Sequence, residues 1–237
     1  MKNIFITGGG GYGGAELTDF LISKGYNVTV YDLFLYGKDV FFNKKNIRII
    51  KGDIRDIDNV KLNLKGQDAV IHLACISNDP SFELNPNLGK SINFYAFEPI
   101  VKAAKESNIQ RFIYASSSSV YGIKQEANVN EDMSLEPLTD YSKFKAECEK
   151  ILFKYKLENF ETIIIRPATV CGYSKRQRLD VIVNILTNLA YHNRKITVFG
   201  GEQLRPNIHI KDMLRSYLCL LEADSKKVNG EIFNAGW

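Results

Sequence analysis

Apolar positions along the first two thirds of the chain fall into two alternating rhythms. Short apolar runs at 3–7, 27–31, 47–50, 68–73, 111–115 and 161–165 have the length of buried parallel strands. Apolar residues at helical spacing predict helices over 12–24, 89–107 and 140–157, which separate most of those runs. This alternation predicts an α/β fold, a doubly wound parallel sheet with helices on both faces. After residue 166 the rhythm loosens into a basic loop, a helical pattern over 179–191, an apolar stretch at Ile196–Phe199 and a helix over 211–222. We therefore expect one domain over 1–166, and over 167–237 a mixed segment interleaved with the last elements of the sheet.

Composition narrows this picture without changing it. A chain of 237 residues that is 45% hydrophobic and 24% charged can bury one sizeable core and a small second lobe. The net charge of +4 comes without long basic blocks, so no nucleic-acid partner is expected. No run of 18 apolar residues occurs and the N-terminus enters a strand at once. Neither a membrane span nor a signal peptide is expected, and the cytoplasm follows as the compartment. Cys75, Cys148, Cys171 and Cys219 lie far apart with no C-x-x-C pair, which reads as structural or free thiols and no metal site. His72, inside the strand-like run Ala69–Leu73, reads as a satisfied core histidine.

The densest local signal is glycine. Six glycines occupy the seven positions from Gly8 to Gly14, with only Tyr12 among them. A flexible linker would not sit between an apolar strand run and a helical pattern carrying Leu17, Phe20, Leu21 and Ile22. Gly8, Gly11 and Gly14 form G-x-x-G-x-x-G between strand and helix, where absent side chains permit a tight turn, a close pyrophosphate and close helix packing. Amides at the helix N-terminus then attract the phosphate charge. The next strand run ends in Asp32, 18 residues after Gly14. A carboxylate there would accept hydrogen bonds from ribose hydroxyls and repel a 2′-phosphate, favouring NAD over NADP.

With these residues in place, Thr7-Gly8-Gly9-x-Gly11-Tyr12-x-Gly14 resembles the opening of the extended short-chain dehydrogenase/reductases, specifically the branch of NAD-dependent nucleotide-sugar epimerases and dehydratases typified by UDP-glucose 4-epimerase. The resemblance runs nearly the whole chain. Lys51–Asp56 is similar to the adenine-contacting segment, His72-Leu73-Ala74 to the strand passing the pyrophosphate, and Ser116–Gly122 to the catalytic serine strand end. Arg166–Val170 is similar to the segment passing the nicotinamide, and Leu204–His209 to the stretch whose arginine clamps a nucleotide diphosphate. The resemblance implies a Rossmann-type sheet with a small C-terminal substrate lobe. It implies NAD held by Gly8, Gly11, Tyr12, Gly13, Gly14, Asp32, Asp53, Ile54, Leu73, Ala74, Asn93, Tyr141, Lys145 and Pro167. It further implies a nucleotide-diphosphate sugar held by Ser117, Thr169 and Arg205, and a homodimer built on the helices near 89–107 and 140–157.

Oxidising a sugar alcohol needs a base for the hydroxyl proton, and a tyrosine with a pKa near ~10 is a poor one at neutral pH. Tyr141 and Lys145 stand four residues apart, on one helical face, where the ammonium favours tyrosinate. Tyr191 and Lys195 share that spacing among 12 tyrosines, but no serine-rich strand end precedes them. Ser117, 24 residues before Tyr141, stands where the family carries its catalytic serine or threonine, and Ser118 and Ser119 read as turn residues. Ser174–Arg178 is a basic loop that reads equally as solvated charge or as phosphate contact. Arg205 suits a diphosphate because its planar fork pairs with phosphate oxygens.

The resemblance also separates reaction classes. Family members that dehydrate their sugar carry Asp-Glu directly after the catalytic residue, where this chain has Ser118-Ser119. The expected activity is a nucleotide-sugar epimerase acting through a transient 4-keto sugar. The alternatives are a nucleotide-sugar dehydrogenase or reductase, and a non-catalytic NAD-binding protein. Family members continue beyond the element that Glu231–Gly236 resembles, so a truncated substrate lobe is expected.

Overall fold

The computed structural model describes residues 1–37, 39–41, 45–126 and 128–236. Strands β1 (Asn3–Thr7), β2 (Asn27–Asp32), β3 (Ile47–Lys51), β4 (Ala69–His72), β5 (Arg111–Ala115) and β6 (Glu161–Pro167) lie parallel. A separate parallel pair, β7 (Thr169–Cys171) and β8 (Asn207–His209), follows in the second part of the chain. Then β9 (Glu231–Ala235) returns to extend the large sheet beside β6, giving the order β3-β2-β1-β4-β5-β6-β9. The order reverses between β1 and β4, and there the connections diverge to open a crevice at the strands' carboxyl ends.

Both faces of the sheet are covered, which is why the strands are continuous apolar runs. Ile4 and Ile6 of β1 enter one core layer and Phe5 the other; β5 divides Ile113 from Phe112 and Tyr114 in the same way. Helix α1 (Tyr12–Ser23) packs Leu17 and Leu21 into the first layer. Against the second layer lies α2 (Ile57–Leu64) with Val60 and Leu64; α3 (Asp79–Glu83) and α4 (Pro86–Lys90) follow β4 and lead to α5 (Phe97–Glu106), which adds Phe97, Ile100 and Val101 to that layer. Helix α6 (Asp140–Phe153) adds Cys148 and Leu152 to that layer. In the second part, α7 (Ile182–Asn193) precedes β8, while α8 (Ile210–Glu222) places Leu214 and Tyr217 on the α1 side, and the short α9 (Ser225–Val228) leads into β9.

Three local departures from the periodicity have physical causes. The pattern over 89–107 is interrupted by a π-type turn at Ser91–Tyr95. Pro99 lacks the N–H that would bond back to the preceding turn, so the ladder cannot run unbroken. Helix α2 is absent from the apolar pattern because its buried stripe is only Val60, Asn63 and Leu64; its start is set instead by the Asp56 side chain accepting from the Asn59 amide at 3.1 Å. The stretch Ile196–Phe199 forms no regular element, and Phe199 is 86% exposed.

A buried arginine joins the two parts of the chain. Arg111 of β5 is 2% exposed, pairs with Glu161 of β6 at 2.5 Å, and donates to the carbonyls of Leu220, Leu221 and Ala223 at 2.6, 2.9 and 3.0 Å. The guanidinium thereby satisfies the last carbonyls of α8 and complements the negative end of its dipole.

Candidate active site

The glycine turn sits at the crevice floor. Gly8 has φ +73° and passes so close to the end of β4 that a Cβ would fall 2.6 Å from the Ala74 amide nitrogen. At Gly14 a Cβ would collide with the Gly8 carbonyl at 2.3 Å, so α1 can approach the turn only without a side chain. Gly11 differs: a Cβ there would meet only the Gly8 carbonyl, at 3.3 Å, so its bare backbone leaves room for a group from outside the chain. As N-cap of α1 it provides no side-chain cap, and the first turn carries no acidic residue. Unsatisfied amides and the positive dipole end fit a pyrophosphate.

Asp32, half-buried at the end of β2, lies beside this floor. Its carboxylate accepts from the Gly10 amide at 2.9 Å and the Phe34 amide at 2.7 Å. Two backbone bonds leave about two of its roughly four acceptor positions for a ribose diol. Further along the same edge, Asp53 is bound by Arg55 at 2.5 Å, which holds its carboxyl below the usual range, and Ile54 is buried in the second core layer. Leu73 and Ala74 continue β4 into the crevice, where the Ala74 amide donates to Thr7 Oγ1 at 3.4 Å. Asn93 is buried, and both ends of its side chain grip the Ile76 backbone at 2.8 and 2.9 Å, so it fixes the loop after β4. The Tyr12 hydroxyl turns to the second part of the chain, donating to the Gly172 carbonyl at 2.7 Å.

At the carboxyl ends of β4 and β5 the structure brings Ser117, Tyr141 and Lys145 together. Thr139 and Ser142 form a capping box that starts α6, and the four-residue spacing puts Tyr141 and Lys145 on its inner face. Lys145 is 4% exposed, donates to the Ala115 carbonyl at 2.6 Å, and lies 5.8 Å from the Tyr141 ring centre. Ser117 caps the short turn Ser118–Tyr121, and its oxygen accepts from the Ser119 amide and hydroxyl at 3.2 and 2.9 Å. Its own O–H is left to donate toward Tyr141, and that bond is among the influences on the phenol. Burial pushes the Tyr141 phenol above the ordinary value, while the Lys145 ammonium pulls it back. Burial opposes the charge of Lys145, but Cys75 and Tyr141 beside it more than offset that, and its pKa is raised.

Tyr191 is 68% exposed on α7, where its ring contacts are His192 and Arg194. His72 is buried among Phe97, Phe112 and Tyr114 and bonded to Thr7 Oγ1 at 2.8 Å. Thr169 of β7 faces Asn207 of β8 in register, and Arg205 is exposed two residues ahead of Asn207. Pro167 ends β6 half-buried.

Two neighbours of the site, Cys75 and Glu149, carry no local sequence signal. Cys75 stands in the loop after β4, close enough to perturb both Tyr141 and Lys145. Arg166 and Glu149, 2% exposed each, pair at 2.6 Å; Ser116 donates to Glu149, and Arg166 donates to Tyr121 at 2.7 Å. Glu149 lies one turn beyond Lys145, so this buried network fixes α6 against β5 and β6. The loop Ser174–Arg178 is neither bare solvated charge nor an open cluster, since its residues are bound by α1 and by the loop after β4. Among the described residues no group of His, Cys, Asp and Glu could hold a metal ion, and no helix is long and apolar enough to cross a membrane.

The chain is similar to known proteins over nearly its whole length. The model of the NAD dependent epimerase/dehydratase family matches residues 4–236. The chain is 28% identical to the human dTDP-D-glucose 4,6-dehydratase, over 99% of this chain and 69% of that protein. It is 32% identical to an uncharacterized UDP-glucose epimerase of Bacillus subtilis, over 98% of this chain and 76% of the relative. Among solved structures, the UDP-glucuronic acid 4-epimerase from Bacillus cereus, in complex with UDP-glucuronic acid and NAD, superposes with a TM-score of 0.88 at 29% identity, covering 99% of this chain and 77% of the other. The family match spans the crevice, the glycine floor and the Ser117–Tyr141–Lys145 cluster alike: the chain belongs to the NAD-dependent epimerase/dehydratase family, within the extended short-chain dehydrogenase/reductases.

Proposed function

We propose that the protein is an NAD-dependent nucleotide-sugar 4-epimerase that works through a transient 4-keto sugar. The observation that carries this reading is the convergence of Ser117, Tyr141 and Lys145 at one end of the crevice, followed by serines at 118 and 119. The relatives include dehydratases as well as epimerases. Eliminating water needs a further acid and base, and hydroxyls with ordinary serine chemistry at these two positions supply neither.

The cofactor cradle is assigned to the Gly8–Gly14 turn, Asp32, Leu73, Ala74 and Pro167. When bound, NAD supplies the acceptor and then the donor of a hydride. Tyr141 takes the proton of the sugar hydroxyl, Lys145 stabilises the phenolate that results, and Ser117 orients the reacting oxygen and shares the proton path. The proton returns from Tyr141 once the keto sugar has turned its other face. Thr169 and Arg205 are assigned to the nucleotide diphosphate, so that the sugar turns about a fixed anchor.

The proposal includes a homodimer through the outer faces of α5 and α6, supported by the family resemblance, and a cytoplasmic location, supported by the free thiols Cys75, Cys148, Cys171 and Cys219. The test is incubation with UDP-, GDP- and CDP-sugars followed by proton NMR and mass spectrometry. A product of unchanged mass and inverted configuration at C4, without lasting NADH absorbance, is expected. Tyr141→Phe should cut turnover by about 10²–10⁴-fold with NAD binding retained, while Tyr191→Phe leaves it unaltered. A product lighter by one water would overturn the epimerase reading, as would stoichiometric NADH.

A further inference from the structure

The connection from β7 to α7 crosses the carboxyl edge of the sheet and is fastened on both sides of the crevice. On the β2 side, the Arg176 guanidinium lies 3.4 Å from the ring centre of Tyr36, in the segment that follows Asp32. In the middle, Ser174, 1% exposed, donates its hydroxyl to the Tyr12 carbonyl at 2.8 Å, and the Lys175 amide donates to Glu16 at 2.9 Å. On the β4 side, Arg178 donates to Ser77 Oγ at 3.0 Å and grips Asp180 through two bonds of 2.9 and 2.5 Å. Asp180 in turn accepts from Asn78 Nδ2 at 2.6 Å. Asn184 secures the base of the loop, donating to the Arg178 carbonyl at 2.9 Å and the Tyr12 hydroxyl at 3.1 Å.

These attachments follow the crevice in order: the ribose-binding edge at Asp32, the glycine floor at α1, and the loop after β4, whose Cys75 lies close enough to act on Tyr141. A dinucleotide extended along that line passes under one continuous segment. We infer that residues 174–180 form a strap closed across the NAD crevice, with Arg178 as its clasp, so that the cofactor cannot leave between the removal and the return of the hydride. The inference rests on the NAD-binding reading of the crevice. It gives the basic run a mechanical role: its cations grip the chain's own walls, and each wall must release before the segment lifts. Fork geometry explains arginine at the clasp, since one planar group holds Asp180 in two bonds and Ser77 in a third.

The test is the dissociation rate of NADH, followed by fluorescence after rapid mixing with excess NAD. Arg178→Ala removes the clasp from the strap side. Asn78→Asp removes it from the opposite wall: an aspartate can still accept from the Ser81 amide and start α3, as Asn78 does at 2.8 Å, but it turns a carboxylate toward Asp180. Both variants should release NADH at least tenfold faster than the unmodified protein, with thermal unfolding of the cofactor-free forms reporting that each is folded. Release rates equal to that of the unmodified protein would overturn the strap while leaving the cofactor reading intact. An unmodified protein that binds no NADH would overturn both.

Discussion

Asp32 shows how much one side chain decides. Its two backbone bonds fix the carboxylate at the lip of the glycine floor, and its remaining acceptor capacity suits a ribose diol but repels a 2′-phosphate. NAD should therefore bind more tightly than NADP, and Asp32→Ser should narrow the gap by about one to two orders of magnitude, the worth of a charge-assisted hydrogen bond. Calorimetric titration of both cofactors checks this, and equal affinities in the unmodified protein would remove Asp32 from that role. Asp32 and the Tyr141–Lys145 pair are legible in sequence because their partners are local: a strand end beside a glycine turn, and one helical turn. Arg178 and Cys75 are not, because they reach the site on connections whose paths are set by packing. Within a basic run, Arg178 looks the same whether it is solvated or clasped.

At the scale of elements, strands β1–β6 are legible because both faces of the sheet are covered, and their boundaries move by at most two residues, whereas β7, β8 and β9 are short or only partly buried and give no such apolar run. Periodicity could not locate the break at Ser91–Tyr95, where Asn93 turns inward to hold the loop after β4. The strand β4 carries a second consequence. Burial pushes the His72 imidazole down to about 3 from 6.5, and Lys145 adds to the shift. In the unfolded chain the same group protonates near 6.5, so between these two values the unfolded state binds more protons. Stability attributable to His72 is complete above pH 6.5 and declines as the pH falls toward 3, with a slope approaching ~1.4 kcal/mol per pH unit. Urea unfolding at a series of pH values should show this slope reduced in His72→Gln, which keeps an acceptor for Thr7 but does not titrate. Identical slopes in the two proteins would show that His72 is not protonated on unfolding.

Across the molecule, the crevice between β1 and β4 has Ser117, Tyr141 and Lys145 at one end and is spanned by a segment from the second part of the chain. Arg111 binds the end of α8 to the sheet, and Ser174 binds the strap to α1, so the two parts meet around the site. An epimerase requires this enclosure more than a dehydrogenase does, because the hydride taken from the sugar must go back to the same carbon. A sugar nucleotide carrying deuterium on C4 tests that directly. After epimerisation in ordinary water, proton NMR and mass spectrometry should find the deuterium still on C4 in the inverted product. Loss of the label from C4, whether to another carbon, to solvent or to accumulating reduced cofactor, would contradict a hydride returned within one closed site.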